Sequence, residues 1–219
     1  MTWKKTVLMF GLLLIVLSAC SSESTEEKIH THLEETVVLE QEFEAQQSEI
    51  TELEKQEQEI YAQVIDLGMD DFEEITKLSQ DAIALIEERK EKIDVESESI
   101  QAAKEEFQSI EALLDDLEEG DAQTKGEEMY QTMMDRYDTY DDLYEAYKQS
   151  LDLETELYTL LQDEEVEQEV LNEQIEKINE TYEQILTAND TFNELTVGYN
   201  ELKQAFYEAA NMEVTFEEE

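Results

Sequence analysis

The chain contains no proline and only five glycines in 219 residues, so it has few points at which a helix can end or turn. Over long stretches the apolar residues recur at intervals of three and four, which is the spacing of one face of an α-helix. Residues typical of helix ends occur together at positions 67–73 and 119–121. The sequence therefore predicts an all-α fold of long helices joined by short turns.

Each predicted helix carries a stripe of apolar residues that repeats every seven positions. The stripe of the first helix comprises Ile29, Leu39, Phe43, Ile50, Leu53, Ile60, Val64 and Leu67, with interruptions at His32, Thr36, Gln46 and Glu57. The stripe of the second helix comprises Phe72, Ile75, Ala82, Ile86, Ile93, Ile100, Ala103, Phe107, Ile110, Leu114 and Leu117, with interruptions at Ser79, Arg89 and Glu96. The stripe of the fourth helix comprises Leu171, Ile178, Ile185, Phe192, Leu195, Tyr199, Leu202 and Phe206. One face of every helix is therefore expected to be buried.

The similar lengths of the predicted helices favour an elongated up-and-down bundle of four antiparallel helices, each about 60 to 70 Å long. The bundle is predicted to span residues 26–212, and the acidic tail at 213–219 has no assigned structure. A spectrin-like three-helix arrangement is the alternative, because the turn near residues 163–164 has no glycine and helices three and four could merge. Gly198 lies within the fourth stripe and predicts close helix packing or a local kink.

The stripe of the third helix is aromatic and contains six of the ten tyrosines. Its members are Tyr130, Met133, Tyr137, Tyr140, Tyr144, Tyr147, Leu151, Tyr158 and Leu161. The spacing favours a bundle interior in which the hydroxyl groups reach the rim. A binding groove or partner surface formed by Tyr130, Tyr137, Tyr140, Tyr144 and Tyr147 is the alternative.

The N-terminus has the layout of an export signal, with Lys4 and Lys5 followed by an apolar run over residues 7–17. This run is too short for a membrane-spanning helix, which needs roughly 20 apolar residues. The sequence Leu17, Ser18, Ala19, Cys20 matches a lipobox, so we expect cleavage between Ala19 and Cys20 and a diacylglycerol group on Cys20. Two acyl chains are enough for stable anchoring. Residues 1–19 are then the signal peptide and residues 20–25 a lipidated tether, on the outer face of the cell membrane.

An ordinary free cysteine at the end of a secretory signal is the alternative interpretation of Cys20. The chain has one cysteine, so it cannot form an internal disulfide. Apart from the covalent lipid, no cofactor is predicted.

The charge is extremely acidic, with 60 Asp and Glu against 14 Lys and Arg and a formal net charge of −46. Removal of residues 1–19, which contain two lysines and no acid, takes this charge to about −48. Such a field repels nucleic acid and anionic lipid headgroups and attracts divalent cations or basic proteins. It excludes nucleic acid as a partner, and it is consistent either with adaptation to the external medium or with recognition of a cationic partner.

No arrangement of residues in the sequence indicates catalysis. His30 and His32 point away from one another on a helix and are expected to be solvated. His30 with Glu26 and Glu34 has the spacing of a weak metal site, but such a pattern arises by chance in so acidic a chain. Pairs of carboxylates are abundant, but acid–base catalysis needs a cleft that desolvates one of them, and a narrow bundle is predicted to have none. The sequence therefore predicts a non-enzymatic protein without a metal site or a small-molecule substrate.

Several short segments stand out at residues 27–29, 44–47, 52–55, 57–59, 66–69 and 86–89, and the last two, Asp-Leu-Gly-Met and Ile-Glu-Glu-Arg, are the most specific. In these segments the chain resembles the YkyA-type family of cell-wall-binding lipoproteins from Gram-positive bacteria. The resemblance covers the first half of the mature chain closely and the second half through its helical pattern. It implies a lipid-anchored extracytoplasmic helical bundle that contacts the cell wall.

Two functions of different classes follow. The preferred one is a tethered cell-wall-binding or scaffold protein of the envelope that presents an acidic surface to the wall or to a basic protein. The alternative is a chaperone-like or adaptor module, in which the bundle opens and the tyrosines and methionines of helix three, including Met129, Met133 and Met134, hold a protein partner.

Overall fold

The computed structural model describes residues 24–67 and 71–212. In this part of the chain six α-helices occur: α1 (Thr25–Leu39), α2 (Gln41–Asp66), α3 (Phe72–Gln108), α4 (Glu111–Asp115), α5 (Asp121–Leu160) and α6 (Gln168–Ala209). Two of the predicted long helices are each interrupted once, at Glu40 between α1 and α2 and at residues 109–110 between α3 and α4. They still form four long rods in an up-and-down arrangement, so the four-helix prediction is confirmed.

The helix ends follow from local sequence. Ser24 caps α1, since its hydroxyl accepts from the Glu27 amide while the Glu27 carboxylate accepts from the Ser24 amide. The predicted turn at 119–121 is confirmed, because Gly120 immediately precedes α5. The first predicted turn falls between α2 and α3, although residues 68–70 lie outside the described part. Residues 161–167 separate α5 from α6, so these two helices do not merge into one rod as the spectrin-like alternative requires.

The core is continuous at the end of the bundle that contains the N-terminus of α1, and it thins toward the other end. The larger cluster is built around Phe107, Tyr137, Tyr199 and Phe206, whereas the far end has a small cluster of Val64, Ile75 and Leu78. The stripe positions are largely buried as predicted. Leu39 is an exception: it is 37% exposed, because α1 ends at this residue and the register of the stripe breaks at Glu40.

The glycine required by close packing is Gly126 rather than Gly198. A Cβ atom on Gly126 would lie 2.4 Å from Leu114 Cδ2 and 3.4 Å from the Phe206 ring, so only glycine lets α4, α5 and α6 approach this closely. A Cβ atom on Gly198 would make an ordinary 3.7 Å contact with Thr132. The packing at position 198 therefore does not require glycine.

The helices pack around the bundle with one side looser than the others. Helix α3 lies against both α2 and α5, and α5 lies along α6. Within the described residues, α6 makes no comparably close approach to α2. The side chains of Phe43 and Phe192 bridge these two helices at the well-packed end, with ring centroids 5.9 Å apart. Toward the other end the helices leave a cleft.

Candidate functional site

The cleft lies between α2 and α6 and has a volume of about 520 Å³. Its wall on α6 is mostly apolar and includes Ile175, Ile185 and Leu186. Its wall on α2 is polar and includes Glu54, Gln58 and Tyr61. The prediction that the bundle has no cleft is therefore wrong.

Three charged side chains from three helices form the floor of the cleft: Glu57 of α2, Arg89 of α3 and Glu154 of α5. Glu57 and Arg89 occupy stripe positions, so the helical periodicity turns them inward. Glu154 lies three residues after the buried Leu151 and four before the buried Tyr158, so it shares their face of α5. Polar side chains thus replace apolar ones in one layer of the bundle, and that layer is where the cleft opens.

Arg89 is the centre of the floor, and its guanidinium is fully engaged. Nη1 donates to Glu57 Oε2 and, at 2.9 Å, to Glu154 Oε2. Nη2 donates to the Tyr147 hydroxyl at 2.9 Å and more distantly, at 3.4 Å, to Glu54 Oε1. The Tyr147 hydroxyl in turn donates to Glu54 at 2.6 Å. A buried arginine surrounded by acceptors is stable because its donors are satisfied in a fixed geometry.

Burial and charge set the protonation of this floor. Burial, together with repulsion from Glu154, raises the pKa of Glu57 to about 7, although the charge of Arg89 opposes the rise. Burial alone would lower the pKa of Arg89, but Tyr147 and the carboxylates of Glu154 and Glu57 raise it above its ordinary value. Arg89 therefore stays charged, and Glu57 is the group of the floor that can exchange its proton near neutral pH.

Tyr182 joins α6 to the floor. Its hydroxyl donates to Glu154 Oε1 at 2.8 Å, so the second oxygen of that carboxylate is also occupied. The residue is nevertheless 40% exposed, and the neighbouring Leu186 is 66% exposed. Both side chains line the cleft, so they present apolar surface to any group that enters it.

Two further buried polar clusters lie outside the cleft. Glu96 accepts from the Tyr140 hydroxyl at 3.0 Å and from Gln47 Nε2 at 2.5 Å, and burial raises its pKa to about 7. Arg136 donates to both oxygens of Glu40, at 2.8 and 3.0 Å, and its guanidinium carbon lies 4.3 Å from the centre of the Phe192 ring. The second cluster ties the break between α1 and α2 to α5 and α6.

The histidines are half-buried and hydrogen-bonded, so the prediction of solvated side chains is wrong. His30 Nδ1 lies 3.0 Å from the Tyr207 hydroxyl and 3.8 Å from Glu34. His32 Nδ1 lies 2.5 Å from Glu106 Oε1, and this contact lowers the pKa of Glu106. His32, Glu35 and Glu106 bring three potential metal-ligand atoms within 4.8 Å of one another, although the proximity of His32 to Glu106 is already explained by their hydrogen bond.

The predicted tyrosine surface lies mainly inside the bundle. Tyr137 and Tyr140 are fully buried, Tyr130 stacks on Phe107, and Tyr144 donates to Asp94 at 2.7 Å. Tyr147 is half-buried beneath the cleft, where it binds Arg89. This placement agrees with the interior interpretation, and a partner surface made of these residues would require the helices to separate.

Sequence reasoning missed the charged floor, although it had marked two of the three residues. Glu57 and Arg89 appeared as interruptions of apolar stripes, and opposite charges at such positions on two helices are a signal for a buried ion pair. Glu154 had no such mark. The predicted sites Ala19 and Cys20 and the tail at 213–219 lie outside the described residues. None of the described helices has a stretch long and apolar enough to cross a membrane.

Comparison with known proteins places this chain within a lipoprotein family. Residues 24–209 match the family described as “YkyA: Putative cell-wall binding lipoprotein”. The chain belongs to this family, so the resemblance seen in the sequence is confirmed. Membership of a lipoprotein family supports an extracytoplasmic location at a membrane.

Individual relatives agree with this assignment. “Uncharacterized lipoprotein YkyA” of Bacillus subtilis (strain 168) is 31% identical over 205 residues, which cover 94% of this chain and 92% of that protein. A crystal structure of a conserved protein of unknown function from Staphylococcus aureus is similar with a TM-score of 0.70, covers 83% of this chain and 93% of its own, and is 15% identical. At that identity the second similarity establishes the helical fold alone.

Proposed function

We propose that this protein is a lipid-anchored, non-enzymatic binding protein of the cell envelope and that it binds a cell-wall component in the cleft between α2 and α6. The observation that carries the proposal is the cleft itself, in which an apolar wall faces a floor of buried, mutually satisfied charges. The volume of about 520 Å³ is in the range of ligand sites, roughly 300 to 1,000 Å³. The family description supports the wall as the source of the ligand.

A lipid anchor on Cys20 sets the distance between the membrane and this cleft. Only residues 21–24 separate Cys20 from the start of α1, so the tether is short. Glu57 lies 32 residues beyond Thr25, which corresponds to about 48 Å of helix. The anchor and the cleft are therefore far apart along the bundle, and the rod could carry the binding site away from the membrane toward the wall.

A binding role fits the floor better than acid–base catalysis does. Glu154 accepts from Arg89 through one oxygen and from Tyr182 through the other. Glu57 shares the same guanidinium nitrogen of Arg89. A general acid or base must be able to reach a substrate proton, whereas these carboxylates are held by the protein's own donors.

Capture of a protein partner is the second candidate function, and the exposed apolar edge of α6 favours it. Leu186 and Tyr182 would offer a hydrophobic contact to a partner segment that enters the cleft. The methionine and tyrosine face of helix three is less suited to this role, because Met129 and Met133 are buried in the closed bundle.

A pull-down with purified cell wall tests the proposed function. The lipid-free domain, residues 21–219, is incubated with wall before and after removal of its anionic polymers, at low and physiological salt and with added calcium. We expect saturable retention that Leu186→Ser weakens several-fold. Val197→Ser is the matched control, since Val197 is on the same helix, is 60% exposed and does not line the cleft. Equal retention of both variants would remove the cleft from the proposal, and no retention in any condition would overturn wall binding.

The anchor is tested separately in the full-length chain. Cys20→Ala should abolish incorporation of a labelled fatty acid and shift the protein from the membrane fraction to the soluble fraction or the medium. Retention of label in this variant would overturn lipidation at Cys20.

A further inference from the structure

The charges that line the cleft are unbalanced. Among the described residues lining it, Arg89 is the one cation, and three carboxylates face it, those of Glu54, Glu57 and Glu154. The protein as a whole carries a formal net charge of −46, so the average field of the chain has the same sign as the excess charge of this site. A field of this sign disfavours phosphate or carboxylate ligands and favours a cation.

The carboxylate open to a ligand is that of Glu54. Its side chain is 36% exposed, against 10% for Glu57 and 3% for Glu154. Glu54 is also the weakest of the three carboxylate partners of Arg89, since its contact is 3.4 Å long, and its Oε1 also accepts from the Tyr147 hydroxyl at 2.6 Å. A cation that enters from the solvent can therefore bind Glu54 without breaking the ion pair between Arg89 and Glu154.

The opposite wall selects for an aliphatic group next to that cation. Ile175, Ile185 and Leu186 of α6 line the cleft, and Leu186 is largely exposed. A ligand that covers these side chains removes apolar surface from water, at roughly 25 cal/mol for each Å². A cation with an aliphatic stem, such as the side chain of lysine, combines the two requirements, because it can lay its methylene groups on an apolar wall and its ammonium on a carboxylate.

From this geometry we propose that the cleft recognises a primary ammonium group on an aliphatic stem, supplied by a free amine of a cell-wall component. The ammonium binds Glu54 at the rim, next to Glu57, and the stem lies on Ile185 and Leu186. This inference rests on the proposed function for the source of the amine, and on the cleft alone for its chemistry.

Titration of the floor adds a pH dependence to this recognition. The titratable and charged groups that act on Glu57 from the helices packed against α2 are Arg89 of α3, Glu154 and Tyr158 of α5, and Tyr182 of α6. Arg89 in turn binds Glu54 of α2 and Tyr147 of α5. Because the pKa of Glu57 is raised to about 7, its proton is lost as the pH rises through that value and the floor gains a negative charge. Binding of an ammonium should therefore strengthen from pH 6 to pH 8, while a lysine-type amine, with a pKa of about 10.4, remains charged.

The test uses two soluble probes and two wall preparations. The probes are the tripeptide Ala-Lys-Ala with blocked termini and the same peptide acetylated at the lysine side chain, titrated into residues 21–219 by calorimetry. The free-amine peptide should bind saturably, and the acetylated peptide at least about tenfold more weakly. Glu54→Gln should weaken binding about fivefold, whereas Glu59→Gln, which removes the same charge from an exposed position of α2 outside the cleft, should not. Equal binding of both peptides, or of neither, would overturn amine recognition.

Retention by native and by acetylated cell wall distinguishes failure of this inference from failure of the proposed function. Acetylation of the wall amines should abolish retention of the protein. Undiminished retention by acetylated wall would overturn the amine inference and leave wall binding standing. Binding of the free-amine peptide without retention by either wall would overturn the proposed function and assign the cleft to a basic segment of a protein partner.

Discussion

Arg89 Nη1 and Glu154 Oε2 lie 2.9 Å apart, and both side chains are only 3% exposed. This ion pair joins α3 to α5 beneath the cleft, and Glu57 of α2 binds the same nitrogen. Burial of two like charges is tolerated because one guanidinium lies between them and because Glu57 can hold a proton. The floor is therefore a structural element of the bundle as well as part of the proposed site.

Replacement of Arg89 by methionine should destabilise the bundle by about 3 to 5 kcal/mol, because it leaves Glu57 and Glu154 buried without a counter-charge. Chemical denaturation followed by circular dichroism measures the change in the free energy of unfolding. Lys90→Met is the control, since Lys90 pairs with Glu87 and the exposed Asp152 at the surface and should cost less than about 1 kcal/mol. Adding Glu57→Gln and Glu154→Gln to Arg89→Met should restore part of the loss. If the single variant is as stable as the native protein, the ion network does not support the fold.

Glu96→Gln should make the bundle less sensitive to alkaline pH. The pKa of Glu96 is raised by burial to about 7, because the folded protein favours the neutral carboxyl. The contribution of that neutral carboxyl to the stability of the fold is fully present below its ordinary pKa of 4.5 and is lost as the pH rises through about 7. We expect the variant to match the native protein at pH 4 and to exceed it at pH 8 by on the order of 2 kcal/mol. Its amide can keep both contacts, because the exposed Gln47 is free to present its own oxygen.

Glu98→Gln is the matched control for Glu96, because it removes the same charge from an exposed position of α3. It should change the free energy of unfolding only slightly at either pH, because loss of one exposed charge relieves only part of the general repulsion. A pH dependence that the two variants change equally would show that net charge, and not burial of Glu96, is responsible. Glu57 titrates in the same direction, so Glu96→Gln should reduce the pH dependence of unfolding without abolishing it.

Gly126→Ala and Gly198→Ala should have opposite effects on stability. The new Cβ at position 126 would meet the buried Leu114 side chain at 2.4 Å, with Phe206 behind it, so we expect a loss of about 1 to 3 kcal/mol. The Cβ at position 198 meets only Thr132, at 3.7 Å, so the higher helix propensity of alanine should stabilise α6 by up to about 1 kcal/mol. Thermal melts of the two variants make the comparison. If both variants are more stable than the native protein, α4, α5 and α6 pack less tightly around position 126 than these distances indicate.

Arg136→Lys should cost about 1 to 2 kcal/mol, although the charge is kept. Lysine cannot bind both oxygens of Glu40 and the Thr196 hydroxyl at the same time, and it does not reproduce the planar stacking of the guanidinium on Phe192. A double-mutant cycle with Glu40→Gln measures the coupling between the two residues. A coupling energy near zero would show that the break between α1 and α2 does not depend on this ion pair.

Much of the buried polar network was visible in the sequence as single positions. Thr36, Gln46, Glu57, Ser79, Arg89 and Glu96 all interrupt apolar stripes, and all six are buried. The period of seven identifies the face of a helix on which a residue lies, whatever its chemical type, because that face depends on local geometry alone. The prediction that was wrong is that a bundle built of such stripes has no cleft.

The four long rods, the turn at Gly120 and the inward-facing positions could be predicted from the sequence, because helix formation and the burial of one face depend on residues a few positions apart. The contacts of Arg89 with Glu57, 32 residues away in the chain, and with Glu154, 65 residues away, could not be predicted, because they arise from the packing of separate helices. The same packing leaves α6 apart from α2 where these charges lie. Partners of this kind depend on the rotation and separation of whole helices, which follow from packing across the bundle and leave no period in the sequence.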